Sequence, residues 1–494
     1  MRLIGAGLGV AVYLILTVST ALTKIPWCDE AWYASPGWNL ITKGTMGTST
    51  LEPSSTTWKS VGLTGIDRHT YWAMPLHFLA TAAWYKAFGF SLLSVRALSI
   101  AWGLIALLCW FVIVREVSGE WAAASLAVFL LGCDSYYVNA AADGRMDMMA
   151  FCLASAAVAV YLAARTRNLG TAVLAGSTLA TLALFTHPNG GVLGFLGLTA
   201  FALVYDRGRI KFRHILAAGA PLPIAFGAWF LYIRQAPYDF QVQFGGAAAG
   251  RWTGLAHPWA ALALEIRQRY LEHFGFAWWA RPSARLFGLI LLAYVVAVAG
   301  GLLEKQFRAR RGYATLAAIT VLYFLYFTLF ESYKIESYLL YSVPLFTVML
   351  ALWVHWCWSH HPSYRWLLFG SVCLFAGLQL ARDARLIQLD HFHKSYLPVI
   401  SFLKERTSPS TSMFGSAELT FGLGLRDHLI DDIWLGCRSG KTAEIIVIDE
   451  KTQDRIEHLA RTTPDVFACE TNMLRNRYRI LYDQSGYKVW ERTP

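Results

Sequence analysis

Apolar runs long enough to cross a bilayer alternate along this chain with polar stretches of very unequal length. A membrane span takes about 20 predominantly apolar residues. Eleven segments meet that pattern, near 4–23, 92–114, 121–139, 147–164, 171–186, 190–205, 214–233, 284–303, 313–330, 338–356 and 365–381, with 171–186 and 190–205 the short ones. Arg2 opens the first and no small-residue cleavage site follows it, so it reads as a retained span rather than a removed leader. The pattern predicts a polytopic α-helical membrane protein with about 11 transmembrane helices.

The polar stretches carry the rest of the organisation. The first, 24–71, is rich in Thr, Ser and Gly, and it leads into a helical pattern that begins past Pro75 and ends near Gly89, short for a span and read as interfacial or re-entrant. A second, 234–283, holds a Gly-rich run up to Arg251 and Trp252, an amphipathic stretch from Pro258 to Phe276 with Arg267, Arg269 and Glu272, and then Trp278, Trp279 and Arg281. From about Asp383 the composition becomes that of a soluble protein. Short strands are expected at 412–415, 445–449 and 466–469, a helix over 451–461, and a hairpin over 478–490 turning at Gln484-Ser485-Gly486. The expected division is a transmembrane domain over 1–381, with outer loops 24–91 and 234–283, and a small outer-face α/β domain over 382–494.

Composition confirms the class and charge orients it. The chain has 494 residues, 56% hydrophobic and 15% charged, which excludes a soluble globule. With the N-terminus in the cytoplasm, Arg115, Arg165, Arg167, Arg207, Arg209, Lys211, Arg213, Lys305, Arg308, Arg310, Arg311 and Arg365 all fall inside, while the short outer turns hold only Arg145 and Lys334. Both long loops and the C-terminal domain are then outside, periplasmic if the membrane is a bacterial inner membrane. The net charge of +11 is largely topological and needs no nucleic-acid partner; an anionic lipid accounts for the remainder. Five cysteines lie in or beside spans as small buried hydrophobes. Cys437 and Cys469 lie on the oxidising side, where pairing is allowed but not fixed by sequence.

Against that topology a few charged residues stand out. Asp29 and Glu30 open the first loop among Trp27, Trp32, Tyr33 and Trp38, which makes them either solvated interface residues or the polar groups of an aromatic-walled pocket. Asp143, Arg145 and Asp147 sit at a membrane boundary, as a local Arg–Asp clamp or as a cavity wall. His187-Pro188 with Gly190-Gly191 breaks a helix between the two short spans; His187 is either a satisfied turn residue or a ligand. Lys334 defies the basic-inside trend, for which an anionic ligand is the simplest cause, and Arg251 is placed to reach such a ligand from its Gly-rich run.

Read in order, several pieces resemble one family. Asp29-Glu30 in the first outer loop, Pro75-Leu76 opening a helix that ends Tyr85-Lys86-Ala87-Phe88-Gly89, Ser94-Val95-Arg96, Gly144-Arg145-Met146-Asp147, and Lys334 with Tyr338 and Pro344 are similar to the GT-C glycosyltransferases. More narrowly they resemble the bacterial branch related to protein O-mannosyltransferases and to the aminoarabinose and galacturonic acid transferases of lipopolysaccharide. The resemblance covers about 1–350 and, more loosely, the tail. It implies transfer of a sugar from a polyprenyl-phosphate donor to an envelope acceptor, lipid, glycan or protein, with inversion at the anomeric carbon. On matching positions it makes Asp29 the general base with Glu30 its neighbour, and has Lys334, Arg251 and Arg68 hold the donor phosphate. Arg96, Arg145, Asp147, His187, His77 and Tyr338 become cavity or supporting residues. The usual basic residue before Pro-Pro-Leu is absent at Ala73-Met74-Pro75-Leu76, which leaves Arg68, His69 or His77 as substitutes. Gly and Ala fill the places where some relatives have a metal-binding His, so no tightly bound metal or cofactor is expected, and a divalent ion is not excluded. The rival reading is a transporter or flippase with Asp143, Arg145, Asp147 and His187 along its path.

Overall fold

The structure, a computed structural model, describes residues 3–54, 56, 61–251, 253–277 and 282–494. Arg2, Trp252, Trp278, Trp279 and Arg281 lie outside the described residues. The chain forms two compact units. One gathers Met1–Thr20, Ser99–Phe230 and Ala248–Leu386, and the other Ala21–Leu98, Leu231–Ala247 and Ile387–Pro494.

The first unit is helical. Among the described residues of the whole chain, nine helices are long and apolar enough to cross a membrane. The expected span at 121–139 is instead a broken pair, Trp121–Cys133 and Ser135–Ala141, bent by 66°. That at 171–186 is the 16-residue helix Leu169–Leu184. The protein is a multi-pass membrane protein, with each of the eleven segments found as a helix of one of these kinds.

The break has a chemical cause. Asp134 ends one helix and caps the next, its carboxylate accepting from the Tyr136 and Tyr137 backbone N–H groups at 3.0 Å each. Its other oxygen takes the Tyr294 hydroxyl at 2.5 Å and the Gln379 amide at 3.1 Å. A fully buried acid is thereby satisfied by groups from three helices rather than left in hydrocarbon. The N-terminal helix, α1 (Ile4–Thr23), meets Trp121–Cys133 backbone to backbone at Gly9 and Gly132. A Cβ on Gly132 would stand 2.2 Å from the Gly9 carbonyl oxygen, so neither backbone could approach with a side chain between them.

The second unit is mixed. Within the first loop, Cys28–Lys43 is a 16-residue helix, α2, closed at Gly44 in the left-handed region (φ +73°). Past Pro75 comes α3 (Leu76–Phe88), as the sequence indicates, and then α4 (Leu92–Ser118). The C-terminal part holds a five-stranded sheet of β1 (Met413–Phe414), β2 (Leu429–Ile430), β3 (Ile445–Asp449), β4 (Tyr478–Gln484) and β5 (Tyr487–Arg492), in the order β2-β1-β3-β5-β4. β1 runs parallel to β2 and β3, and β5 is antiparallel to β3 and β4. The hairpin turns at Ser485 and Gly486, both with positive φ, which matches the right-handed twist of its strands.

One strand expectation fails. Residues 466–469 lie in the helix Pro464–Arg477, where Pro464 supplies a preset first-turn φ and the run Val-Phe-Ala is too short for periodicity to tell helix from strand. Cys469 on that helix is disulfide-bonded to Cys437, 32 residues away. Closing a loop of that length removes chain entropy worth about 3–4 kcal/mol from the unfolded state.

The C-terminal part and the first loop are one packed body. Leu51 forms a parallel bridge with Asp431, continuing the sheet edge, and the Asp431 N–H reaches the Thr50 carbonyl at 2.6 Å. Lys441 pairs with the buried Glu52 at 2.6 Å. Ala31, Trp32, Leu51, Leu63, Ile66 and Ala417 share one apolar cluster.

Candidate active site residues

The carboxylate pair is split by its surroundings. Glu30 is fully buried, and so is Arg96 on α4. The guanidinium meets the carboxylate with both faces of its fork, Nε to Oε1 and Nη2 to Oε2, each at 2.8 Å. Arg96 also donates to the carbonyls of Ala21, Lys24 and Ile25 at 2.7, 2.9 and 3.3 Å. The Trp27 N–H donates to Glu30 Oε2 at 2.9 Å, which satisfies an orphan donor at the start of α2. Glu30 and Arg96 therefore rivet the turn between α1 and α2.

Asp29 is about 100° round the helix from Glu30 and only half-buried. The Cys28 thiol donates to it at 3.9 Å. Burial, then the charge on Asp29, pushes that thiol well above its usual range. Around this turn stand Trp32, whose indole N–H donates to Asp431 at 3.1 Å, and Trp27, whose ring lies 5.1 Å from the Lys451 ammonium. Trp32 and Trp72 rings are 5.5 Å apart, while Trp38, expected in the same wall, packs on Tyr85 and Phe90.

In the other unit, charged and phenolic groups form a continuous chain. Arg145 donates through Nε to Asp147 at 2.9 Å, and Tyr341 donates to Asp147 Oδ1 at 3.3 Å. The His187 ring stacks on Tyr341 with centroids 5.8 Å apart. Its Nε2 meets the Tyr338 hydroxyl at 3.4 Å, and Arg251 Nη2 donates to the same hydroxyl at 3.2 Å. Arg251 Nη1 ends the chain on Glu331 at 3.0 Å. The Arg251 carbonyl is pinned by the Ser332 N–H at 3.0 Å and hydroxyl at 2.6 Å. Gly250 makes this approach possible, since a Cβ there would lie 2.5 Å from the Tyr333 hydroxyl.

Proton positions in this chain follow from the caps. His187 caps the helix Pro188–Tyr205 by accepting the Asn189 N–H on Nδ1 at 3.1 Å. Burial lowers its pKa to about 3, with Asp147 opposing and the Arg251 and Arg145 charges adding to the effect. The ring is therefore neutral with its hydrogen on Nε2, which donates to Tyr338. Tyr338 thus accepts from both Arg251 and His187, and its own hydroxyl hydrogen remains to be donated elsewhere.

Lys334 is turned inward and only 4% of its side chain is exposed. Its ammonium donates to the carbonyls of Phe327, Thr328 and Glu331 at 2.9, 3.2 and 2.7 Å and pairs with Glu265 at 2.7 Å. Glu265 also holds Arg269 at 3.1 Å, and both are fully buried. Burial depresses the lysine below its ordinary range, opposed by Glu265. The anion that accounts for Lys334 here is Glu265, four residues before Arg269 on one helical face. That i, i+4 spacing of opposite charges is a signal the sequence carries. Glu265, Glu331 and Tyr341 all fall outside the expectations drawn from the sequence. Arg68 is exposed in the first loop and no described residue pairs with its side chain. His77 is buried in the first turn of α3. Among the described residues no three His, Cys, Asp or Glu side chains are grouped as a metal ion needs.

ArnT from Cupriavidus metallidurans, solved bound to undecaprenyl phosphate, superposes with a TM-score of 0.60 at 15% identity, over 98% of this chain and 97% of that one. The chain has the GT-C fold. The Archaeoglobus fulgidus oligosaccharyltransferase shares it, with a TM-score of 0.57 at 12% identity over 98% of this chain and 74% of that one, in a structure tethered to an acceptor peptide containing the NVT sequon. The same archaeal protein in complex with Zn and sulfate gives 0.52 at 13% identity, over 97% and 73%. No protein-family model and no curated protein sequence matches this chain.

Proposed function

We propose that this protein is an inverting glycosyltransferase that moves a sugar from a polyprenyl-phosphate donor to an envelope acceptor, with the first loop and C-terminal domain on the periplasmic face of a bacterial inner membrane. The observation that carries the reading is the match over nearly the whole of both chains to a protein solved with undecaprenyl phosphate. The residue chemistry agrees with it. The acceptor oxygen attacks the anomeric carbon, its proton passes to the Asp29 carboxylate, and the bond from that carbon to the phosphate oxygen breaks with its electron pair on the phosphate. Arg251, its guanidinium held by Glu331, and Tyr338, with a hydroxyl hydrogen to donate, have the chemistry a phosphate oxyanion needs and are the residues proposed for the donor phosphate. A neutral His187 fixes that phenol without adding a charge of its own.

Lipid extraction and mass spectrometry of cells with the gene deleted test the reading. A polyprenyl-phosphate sugar is expected to accumulate while one envelope glycoconjugate loses a sugar. A wild-type lipid profile with unchanged glycoconjugates would refute it.

The donor-side roles separate by mutation. Arg251→Lys keeps the charge but loses the two-pronged hold on Glu331 and Tyr338, so the donor KM should rise ~10-fold or more at unchanged acceptor KM. Lys334→Met should act differently: it leaves Glu265 with Arg269 as its one remaining cation and three carbonyls without their donor, so thermal stability falls before donor affinity does. A Lys334 variant with native stability and a selectively raised donor KM would restore that lysine to the phosphate site.

A further inference from the structure

The stretch 254–276 is amphipathic in the opposite sense to a helix that lies on a protein in water. Its inward residues include the charged ones. Glu265 and Arg269 are fully buried, and Glu265 meets Lys334 at 2.7 Å and Arg269 at 3.1 Å. Its outward residues are mostly apolar. Trp259 is 81% exposed, and Leu255, Leu264, Ile266, Leu271 and Phe276 each show more than a third of their surface. The exposed polar side chains of the stretch are His257, Arg267 and Gln268, and Arg267 turns back to Glu272 at 3.3 Å. In water this arrangement would solvate large apolar groups while stripping solvent from ions, and both effects are unfavourable. In hydrocarbon the first cost vanishes, and ions that are buried and paired are the tolerated kind.

Two glycines lay the stretch against membrane-spanning helices. A Cβ on Gly254 would stand 2.7 Å from the Leu329 carbonyl oxygen, at the end of the helix Arg311–Phe330. At the other end Gly275 holds φ at +95°, and a Cβ there would collide with the Ala284 carbonyl oxygen, near the start of the apolar stretch Pro282–Leu303. The outward apolar residues continue on those two helices, as Leu322 and Leu325 on the one and Leu289 and Leu292 on the other. On helices of that length and hydropathy such residues face lipid chains.

We infer that 254–276 is immersed in one leaflet of the bilayer with its apolar face on the lipid acyl chains, so that lipid rather than water covers the outside of the stretch that buries Glu265 and Arg269. A helix lying at the membrane surface turns its charged face to water. Here the charged face is turned inward, which is the difference between an interfacial segment and an embedded one. The continuity with Leu322, Leu325, Leu289 and Leu292 fixes the occupant as lipid, because the same surface runs on into spans that lipid already covers. Arg267 and Gln268 are long enough to carry their polar ends out to the head groups. The inference stands independently of the sugar-transfer reading.

Photo-crosslinking of the full-length protein in phosphatidylethanolamine–phosphatidylglycerol vesicles tests it, with p-benzoylphenylalanine replacing Trp259, Leu264 or Leu271. Leu292, exposed on a span, and Glu457, exposed on the helix Glu450–Thr462, serve as references. Phospholipid adducts at the three test positions are expected at about 10-fold or more the yield at Glu457, approaching that at Leu292. Trp259, the most exposed, serves alone if the other two positions lower stability. Adduct yields no higher than at Glu457, or covalent dimers of the chain in place of lipid adducts, would overturn the proposal. In the same vesicles Leu264→Glu should lower the thermal midpoint while Leu264→Met leaves it unchanged, since a carboxylate in hydrocarbon is costly and one in water is not. A Leu264→Glu protein as stable as Leu264→Met would equally overturn it.

Discussion

Asp29→Asn is expected to leave a folded protein that no longer transfers sugar. The amide has the shape of the carboxylate and cannot take a proton from an attacking hydroxyl. A positioned base contributes roughly 10²–10⁴-fold to such a step, so single-turnover transfer from purified donor should fall by about that factor. Stability should be nearly untouched, because Asp29 is half-buried and the local architecture is carried by Glu30. In cells, the variant should give the same lipid profile as the deletion. Full transfer by the amide would dismiss Asp29 as the base.

Glu30→Ala should fail in the opposite way, by unfolding. Removing it leaves the Arg96 guanidinium charged, fully buried and without its carboxylate. Breaking a buried pair from one side costs about 3–5 kcal/mol, a large part of the stability of an ordinary domain. Thermal unfolding in detergent should show this loss for Glu30→Ala and equally for Arg96→Ala. Glu30→Leu combined with Arg96→Met should recover part of it, since no charge is then stranded. The recovery is incomplete because the Ala21, Lys24 and Ile25 carbonyls lose their donor. A Glu30→Ala protein of native stability and lost activity would return Glu30 to the chemistry.

The contrast shows what the sequence could and could not say. Every apolar segment became a helix, since hydrophobic length is a local property. Where the helices end early, the cause is a single polar group such as Asp134, whose partners Tyr294 and Gln379 are far along the chain. Asp29 and Glu30 look alike as neighbours in sequence and differ only because a helix turns one towards Arg96. Lys334 stood out correctly against the charge trend, but its partner Glu265 lay in a loop read as amphipathic. Asp431 carried no motif, because what distinguishes it is the company of Trp32 in a folded domain. Val466 to Cys469 misled for want of length.

The pairing of the first loop with the last sheet also fixes an order of events. Trp32 and its partner Asp431 are 399 residues apart. At ~5–20 residues per second, about 20–80 s separate the synthesis of the one from the arrival of the other. Throughout that interval the stretch around Asp29 lacks the strand edge at Asp431 and the apolar partner Ala417 that hold it. The earliest part of the protein to emerge is thus the last to mature. A chain cut short before Met413 keeps all nine long apolar helices found among the described residues and never acquires the Asp431 and Ala417 contacts that hold the turn at Asp29.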